Sequence, residues 1–241
     1  MIIMQNIRKF KVVKNDHPAD NLCRVYLAPD DGEPVFEFKP GQFVMIHELD
    51  AQGNSVYKKS YSIANAPCEA KENIELGVKA QGKMSQMLFD AKVGDVFGVQ
   101  GPFGVFTLNS DAKRVVFLAG GVGMSPFRSL IRESLMTKLS QEIVLFYSAP
   151  YLKDLIYHDE FMELAEKYSE FKYIPICTRE CPEKFIGECK RFGDEMLIKY
   201  ISDLSIGEYM MCGPESFMES VRTVLQNHGI DVATKLRFER Y

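Results

Sequence analysis

The chain has 241 residues, 46% hydrophobic and 26% charged, with a formal net charge of −4, a globular composition long enough for one large domain or two of ordinary size. That balance excludes a disordered chain, an acidic tail and a polyanion binder, so no nucleic-acid partner is expected. The N-terminus lacks the order of a signal peptide and no apolar run approaches the ~18 residues of a membrane span, so the expectation is a cytoplasmic protein with no membrane span.

Residues 1 to about 108 read as short alternating strands and turns, with strand candidates at 9–14, 23–28, 42–47, 60–64, 74–80 and 96–99 and one helix candidate at 84–89. Turn signals such as Pro29-Asp30-Asp31-Gly32 and Lys39-Pro40-Gly41 separate them. Six short strands with one small helix predict an all-β Greek-key barrel, closed so that no edge is left exposed. Within it, alternation along Lys59-Ser60-Tyr61-Ser62 puts Lys59 and Tyr61 on one face. A ring beside a cation matches a flavin nucleotide, one group against a ring system and the other on a phosphate; a core aromatic and a solvated lysine fit these residues equally. Gly77-Val78-Lys79 then leads to Gly82-Lys83-Met84-Ser85, which opens the helix and offers amides and a hydroxyl to a diphosphate. Ser85 as a plain helix cap is compatible with that role.

The pattern changes near Asn109-Ser110-Asp111, which divides the chain into domains 1–109 and 112–241. Beyond it, strands at 114–119, 142–147, 171–177 and 209–211 alternate with helices at 125–137, 158–168 and 216–227, predicting a Rossmann-like α/β domain with a parallel sheet whose last strand is 209–211. The apolar strand ending at Ala119 runs into Gly120-Gly121-Val122-Gly123 and then Pro126, a turn whose bare backbone and free helix-start amides suit a phosphate. It is not the usual dinucleotide fingerprint, because Pro126 replaces the third glycine and the strand 143–147 does not end in an acidic residue. An ordinary tight turn is the alternative.

The strand 171–177 ends in Thr178-Arg179-Glu180, where a parallel sheet presents its ligand edge; a hydroxyl beside a guanidinium suits a 2′-phosphate. A surface Arg179–Glu180 pair is the competing reading. Cys212-Gly213-Pro214 repeats the strand, glycine, helix arrangement and offers a second nucleotide contact, although Cys212 also fits as a small buried residue. At the end of the chain, alternation puts Glu239 and Tyr241 on one face. Cys177, Cys181 and Cys189 match neither zinc nor iron–sulfur spacing and are expected as three separate reduced thiols, with no metal site.

Six stretches stand in a shared order: Pro40-Gly41-Gln42-Phe43, Lys59-Ser60-Tyr61-Ser62, Gly82-Lys83-Met84-Ser85, Gly101-Pro102-Phe103-Gly104, the Gly120 to Pro126 turn and Cys212-Gly213-Pro214. Over nearly its whole length the chain thereby resembles ferredoxin-NADP reductases and related flavoprotein reductases. The resemblance implies that FAD lies in the barrel, with Tyr61 against the isoalloxazine, Ser62 at flavin N5 and Lys59 on the pyrophosphate. Lys59 departs from the family's usual arginine, which loses the planar fork. NADP would bind the second domain, its 2′-phosphate on Thr178 and Arg179 and its nicotinamide beside Cys212. Plant-type members end in Glu-x-Tyr, as Glu239-Arg240-Tyr241 does here, which implies that Tyr241 covers the flavin.

The expected activity is hydride transfer from NADPH to FAD followed by single-electron delivery to a ferredoxin or flavodoxin, with Glu239 as a hydrogen-bond partner of Ser62 or a proton route. Residues 1–110 hold 12 Lys and Arg against 13 Asp and Glu, no basic excess for an acidic partner. An oxygenase reductase component shares every motif. A free-flavin reductase has no need of a diphosphate site, and a non-catalytic nucleotide-binding subunit has no need of Tyr61, Ser62, Cys212 and Glu239 together.

Overall fold

The structure is a computed structural model that describes residues 6–109, 111–138 and 141–240. The chain forms two compact units, one of the residues up to Leu108 together with Ser125–Glu133, the other of Asn109–Met124 together with the residues from Ser134 onward.

The first unit is an antiparallel barrel of six strands, β1 (Arg8–Ala19), β2 (Leu22–Pro29), β3 (Phe43–Leu49), β4 (Ser55–Ser62), β5 (Ile74–Lys79) and β6 (Val96–Phe103), in the order β4-β3-β6-β1-β2-β5. Its core is the inward half of each alternating strand: Phe10 and Val12, Val25 and Leu27, Val44 and Ile46, Ile74 and Leu76, Phe97 and Val99. At the two ends of the strand order, the Ala64 amide just past β4 donates to the Glu75 carbonyl of β5 at 2.8 Å. Helix α1 (Lys83–Asp90) seats Met84 and Leu88, one helical turn apart, in this core. Its C-terminus has no glycine cap; instead Asn15 Nδ2 donates to the carbonyls of Leu88, Phe89 and Ala91 at 2.9–3.2 Å.

The second unit is a parallel sheet of β7 (Arg114–Gly120), β8 (Glu142–Ala149), β9 (Phe171–Cys177), β10 (Glu208–Cys212) and β11 (Leu236–Glu239), in the order β11-β10-β7-β8-β9. Residues Val115 to Ala119 are all buried, the continuous apolar run of a strand covered on both faces. The helices are α2 (Met124–Met136), α3 (His158–Lys167), α4 (Asp194–Tyr200), α5 (Glu215–Asn227) and the single turn α6 (Val232–Lys235). The chain steps from β7 outward to β8 and β9, then returns past β7 to β10 and β11. A topological switch point therefore lies between β7 and β10, where the carboxyl ends of two adjacent strands leave in opposite directions.

Two expectations are corrected, the last parallel strand and the state of Cys181 and Cys189. The last parallel strand is β11, not the strand at 209–211; its four residues pair with β10 from Tyr209↔Leu236 to Cys212↔Glu239. Ser125–Glu133 groups with the first unit, and its polar side chains bond to residues 64–75. Cys181 and Cys189 are not separate thiols but a disulfide with Cα atoms 5.1 Å apart. The loop after β9 folds back so that the Cys177 amide donates to the Glu188 carbonyl and the Glu188 amide to that of Pro175, both at 2.9 Å, which brings the two sulfurs together.

Candidate functional site

On the barrel, β4 is an edge strand paired only with β3, in a register that sets Tyr61 opposite Val44 and Lys59 opposite Ile46. Val44 and Ile46 are buried core residues, so Tyr61 and Lys59 lie on the inward-facing side of the strand while Ser60 and Ser62 take the other. Tyr61 is half-buried against the core; Lys59 is exposed. Burial pushes the Tyr61 phenol well above its ordinary value, and the hydroxyl of Ser85 at the start of α1 is close enough to bond it. The structure thus brings Tyr61 and Ser85 together, two residues 24 apart in sequence.

Ser85 is the cap of α1: its Oγ accepts from the amides of Gln81 and Gly82, both at 2.9 Å, and donates to the Gly82 carbonyl. The amides of the first turn proper, beginning at Lys83, have no carbonyl one turn back to bond within the helix. A Cβ added at Gly82 would meet nothing within 4 Å, so this end of the helix is open to a ligand. Met84 and Val78 point into the core and can offer only backbone; Lys79 is exposed and Gly77 partly so. Lys83 pairs with Glu48, its Nζ lying 5.2 Å from the centre of the Tyr57 ring. A stacking ring, an open helix start and two lysines fit a flavin with a diphosphate.

In the second unit the two glycine turns meet at the switch point. A Cβ on Gly123 would lie 2.4 Å from the Cys212 carbonyl oxygen, and one on Gly213 only 3.1 Å from the Gly120 Cα. These glycines let β7 and β10 end in backbone contact. Gly121, at φ +55°, is different: a Cβ there would meet nothing within 4 Å, leaving its backbone exposed at the mouth of the crevice. Gly120, Gly121, Val122, Gly123, Cys212, Gly213 and Pro214 therefore gather in one place, with Pro126 buried in the first turn of α2 and Pro214 leading into α5. The bare amides and the helix start fit the pyrophosphate of a dinucleotide.

Cys212 is buried, and burial followed by the charge of Glu239 holds its thiol well above the ordinary range. It is therefore a neutral, compact group at the crevice, not a nucleophile. Glu239 pairs with it across β10 and β11 and is partly exposed; Tyr241 lies outside the described residues.

Thr178 and Arg179 stand at the end of β9, two strands from β7, or about 10 Å across the sheet. Their amides are anchored to the Ala149 and Pro150 carbonyls at 3.0 Å. Glu180 turns away, its carboxylate accepting from the Leu152 amide. The surface Arg179–Glu180 pair does not form, and the Arg179 guanidinium is exposed with no hydrogen-bond or ion-pair partner among the described residues. Sequence reasoning missed the residues that fix this edge, Leu152 and Glu188, because their contribution is a backbone group.

Two family profiles match the chain: the oxidoreductase FAD-binding domain over residues 9–108 and the oxidoreductase NAD-binding domain over residues 117–223. A glycine betaine monooxygenase reductase subunit of Pseudomonas aeruginosa is 33% identical across 94% of this chain, which spans 62% of that relative's length. The FAD/NAD-binding domain of a nitric oxide dioxygenase from Vibrio cholerae superposes with TM-score 0.82 at 23% identity, covering 97% of this chain and 98% of that one. A ferredoxin NADP+ reductase from Neisseria gonorrhoeae, with bound FAD and NADP, gives 0.79 at 19% identity over 97% and 98%.

Proposed function

We propose that the chain, which carries an oxidoreductase FAD-binding domain and an oxidoreductase NAD-binding domain, is a flavoprotein reductase of the ferredoxin-NADP reductase kind that oxidises NADPH and serves as the reductase component of a multi-protein redox system. FAD, when bound, supplies the conversion of a two-electron hydride donor into single electrons. The observation that carries the reading is the switch-point crevice, where Gly120, Gly123 and Gly213 let the ends of β7 and β10 meet in backbone contact and Gly121 leaves open space beside them, at adjacent strand ends from which the chain departs in opposite directions.

In this reading residues 1–109 hold FAD and residues 112–241 hold NADP. Tyr61 gives the flavin a ring to rest on, Ser62 offers a hydrogen bond toward N5, and Lys59 with the α1 amides neutralises the diphosphate. The glycine turn holds the nucleotide pyrophosphate, and Thr178 with Arg179 selects the 2′-phosphate. Cys212 packs as a neutral surface beside the nicotinamide, with Glu239 opposite it on β11; the role proposed for Tyr241 lies outside the described residues. An oxygenase component is the preferred acceptor because a 33%-identical relative is such a reductase subunit; ferredoxin or flavodoxin is the second reading.

The test is anaerobic stopped-flow mixing of the FAD-loaded protein with NADPH and, separately, NADH. Rapid flavin bleaching that prefers NADPH, and loses the preference in Arg179→Ala, supports the assignment. Equal rates with both nucleotides remove NADP specificity but leave the reductase. No bleaching with either overturns the catalytic reading in favour of a non-catalytic subunit.

A further inference from the structure

The segment that follows Ser62 is held by an unusual number of polar contacts, all within the first unit. Arg128 Nη1, on α2, donates to the Glu75 carboxylate at 2.9 Å and to the Ala64 carbonyl at 3.1 Å. The Glu75 side chain is buried and that of Arg128 largely so, with exposures of 4% and 11%. Ser129 Oγ donates to the Asn65 carbonyl at 2.9 Å. From the other side, the Ala64 amide donates to the Glu75 carbonyl at 2.8 Å, and Asn65 Oδ1 accepts from the Glu75 amide at 2.9 Å. The Asn65 side-chain amide reaches the Asn73 carbonyl at 2.9 Å. The backbone of two consecutive residues, Ala64 and Asn65, is thus gripped between β5 and α2.

Bringing a carboxylate and a guanidinium out of water is costly, and a buried ion pair can often be replaced by apolar residues without loss of stability. An apolar pair, however, cannot hold a main-chain carbonyl at a fixed point. The directional donor on Arg128 does so, and Glu75 keeps that donor aimed. A third contact on the same helix joins Arg132 to the Glu69 carboxylate, farther along the chain from Ser62.

We propose that Arg128 and Glu75 are positioning residues for the flavin: they fix the exit of β4 and thereby the placement of Ser62 and Tyr61. This rests on the flavin assignment made above for β4. Their role is to set where the hydrogen-bond donor of Ser62 sits, which governs how tightly the flavin is held and how readily it accepts a hydride.

The experiment compares the full-length wild type with Arg128→Met, Glu75→Gln, Ser129→Ala and the control Arg132→Met. Titration of the apoprotein with FAD, spectroelectrochemical measurement of the flavin midpoint potential, and kcat and KM for NADPH are the readouts. Arg128→Met is expected to weaken FAD binding about tenfold, the scale of a lost charged hydrogen bond. It should also shift the potential and lower kcat with little change in KM, while Arg132→Met leaves the potential where it was. Should Arg128→Met fail to fold, Ser129→Ala and Glu75→Gln carry the test with the same signs. A lowered melting temperature with FAD affinity, potential and kcat all unchanged would mean a merely structural pair and overturn the proposal. So would a change in NADPH KM alone, or an equal potential shift in Arg132→Met. If the wild type itself binds no FAD, the functional assignment fails first and is recognised separately.

Discussion

Gly123→Ala probes the crevice most directly. The new Cβ would lie 2.4 Å from the Cys212 carbonyl oxygen, 2.6 Å from its carbon and 2.8 Å from the Gly213 nitrogen. All three are backbone atoms, so no side chain can swing aside. Restoring an ordinary contact of about 3.4 Å requires the end of β10 to retreat by about 1 Å, which is overpacking at the upper end of the usual range, roughly 3 kcal/mol. The same retreat moves Cys212 and the amide of Gly213. A displacement of that size at a reacting centre can cost on the order of a hundredfold in rate. Gly121→Ala is the internal control: its Cβ enters open space, and only the positive φ of +55° opposes it, at about 1–2 kcal/mol. Urea unfolding of both variants gives the stability difference, and stopped-flow flavin reduction gives the rate. Gly123→Ala should be the less stable and much the slower. If the two variants unfold at the same urea concentration, or if Gly123→Ala reduces flavin at the wild-type rate, the argument that β7 and β10 must meet in backbone contact is refuted.

Four cysteines stand outside the disulfide, and of these only Cys68 is exposed. Cys23, Cys177 and Cys212 are buried out of reach of the reagent, so native protein at pH 8 should take up maleimide at Cys68 only, and slowly, because partial burial and the Glu133 carboxylate push that thiol up to about 11; unfolded protein should react at four sites and unfolded reduced protein at six; six without reductant would contradict the disulfide. Burial lowers the pKa of His47 and of His158. A depressed folded-state pKa gives stability that is complete above the unfolded value of about 6.5 and is lost as pH falls through the folded value. Urea midpoints should therefore decline between pH 7 and pH 5, less so in His158→Phe, and a flat profile would exclude the effect. Lys59→Arg restores a forked donor and should tighten FAD binding about three- to tenfold in a fluorescence titration; no change would remove Lys59 from the diphosphate.

What could be read from residues alone was whatever repeats locally. Val115 to Ala119 declares a buried strand because every residue is apolar, and the glycines after it declare a turn because no other residue fits. The first five residues of β4, Ser55 to Lys59, were illegible for the opposite reason: an exposed edge strand has no buried face to impose alternation. Helices α4 and α6, at seven and four residues, are too short to display a helical period, and β11 is too short to stand apart from a frayed end. The pairing of Cys181 with Cys189 depends on a loop returning to β9 through backbone bonds, which no spacing encodes.

The candidate site divides along the same line. The candidate backbone contacts to a ligand come from pattern, because the requirement for glycine or for a helix start is written into the local sequence. Residues that hold those groups in place do not. Arg128 and Glu75 are 53 positions apart and belong to no motif; what joins them is the fold itself, which carries a charged donor to the carbonyl of Ala64. A site of this kind has two layers of information. The layer that touches the ligand can be found by pattern, and the layer that fixes its geometry has to be found by asking where each buried charge and each exposed peptide carbonyl is satisfied.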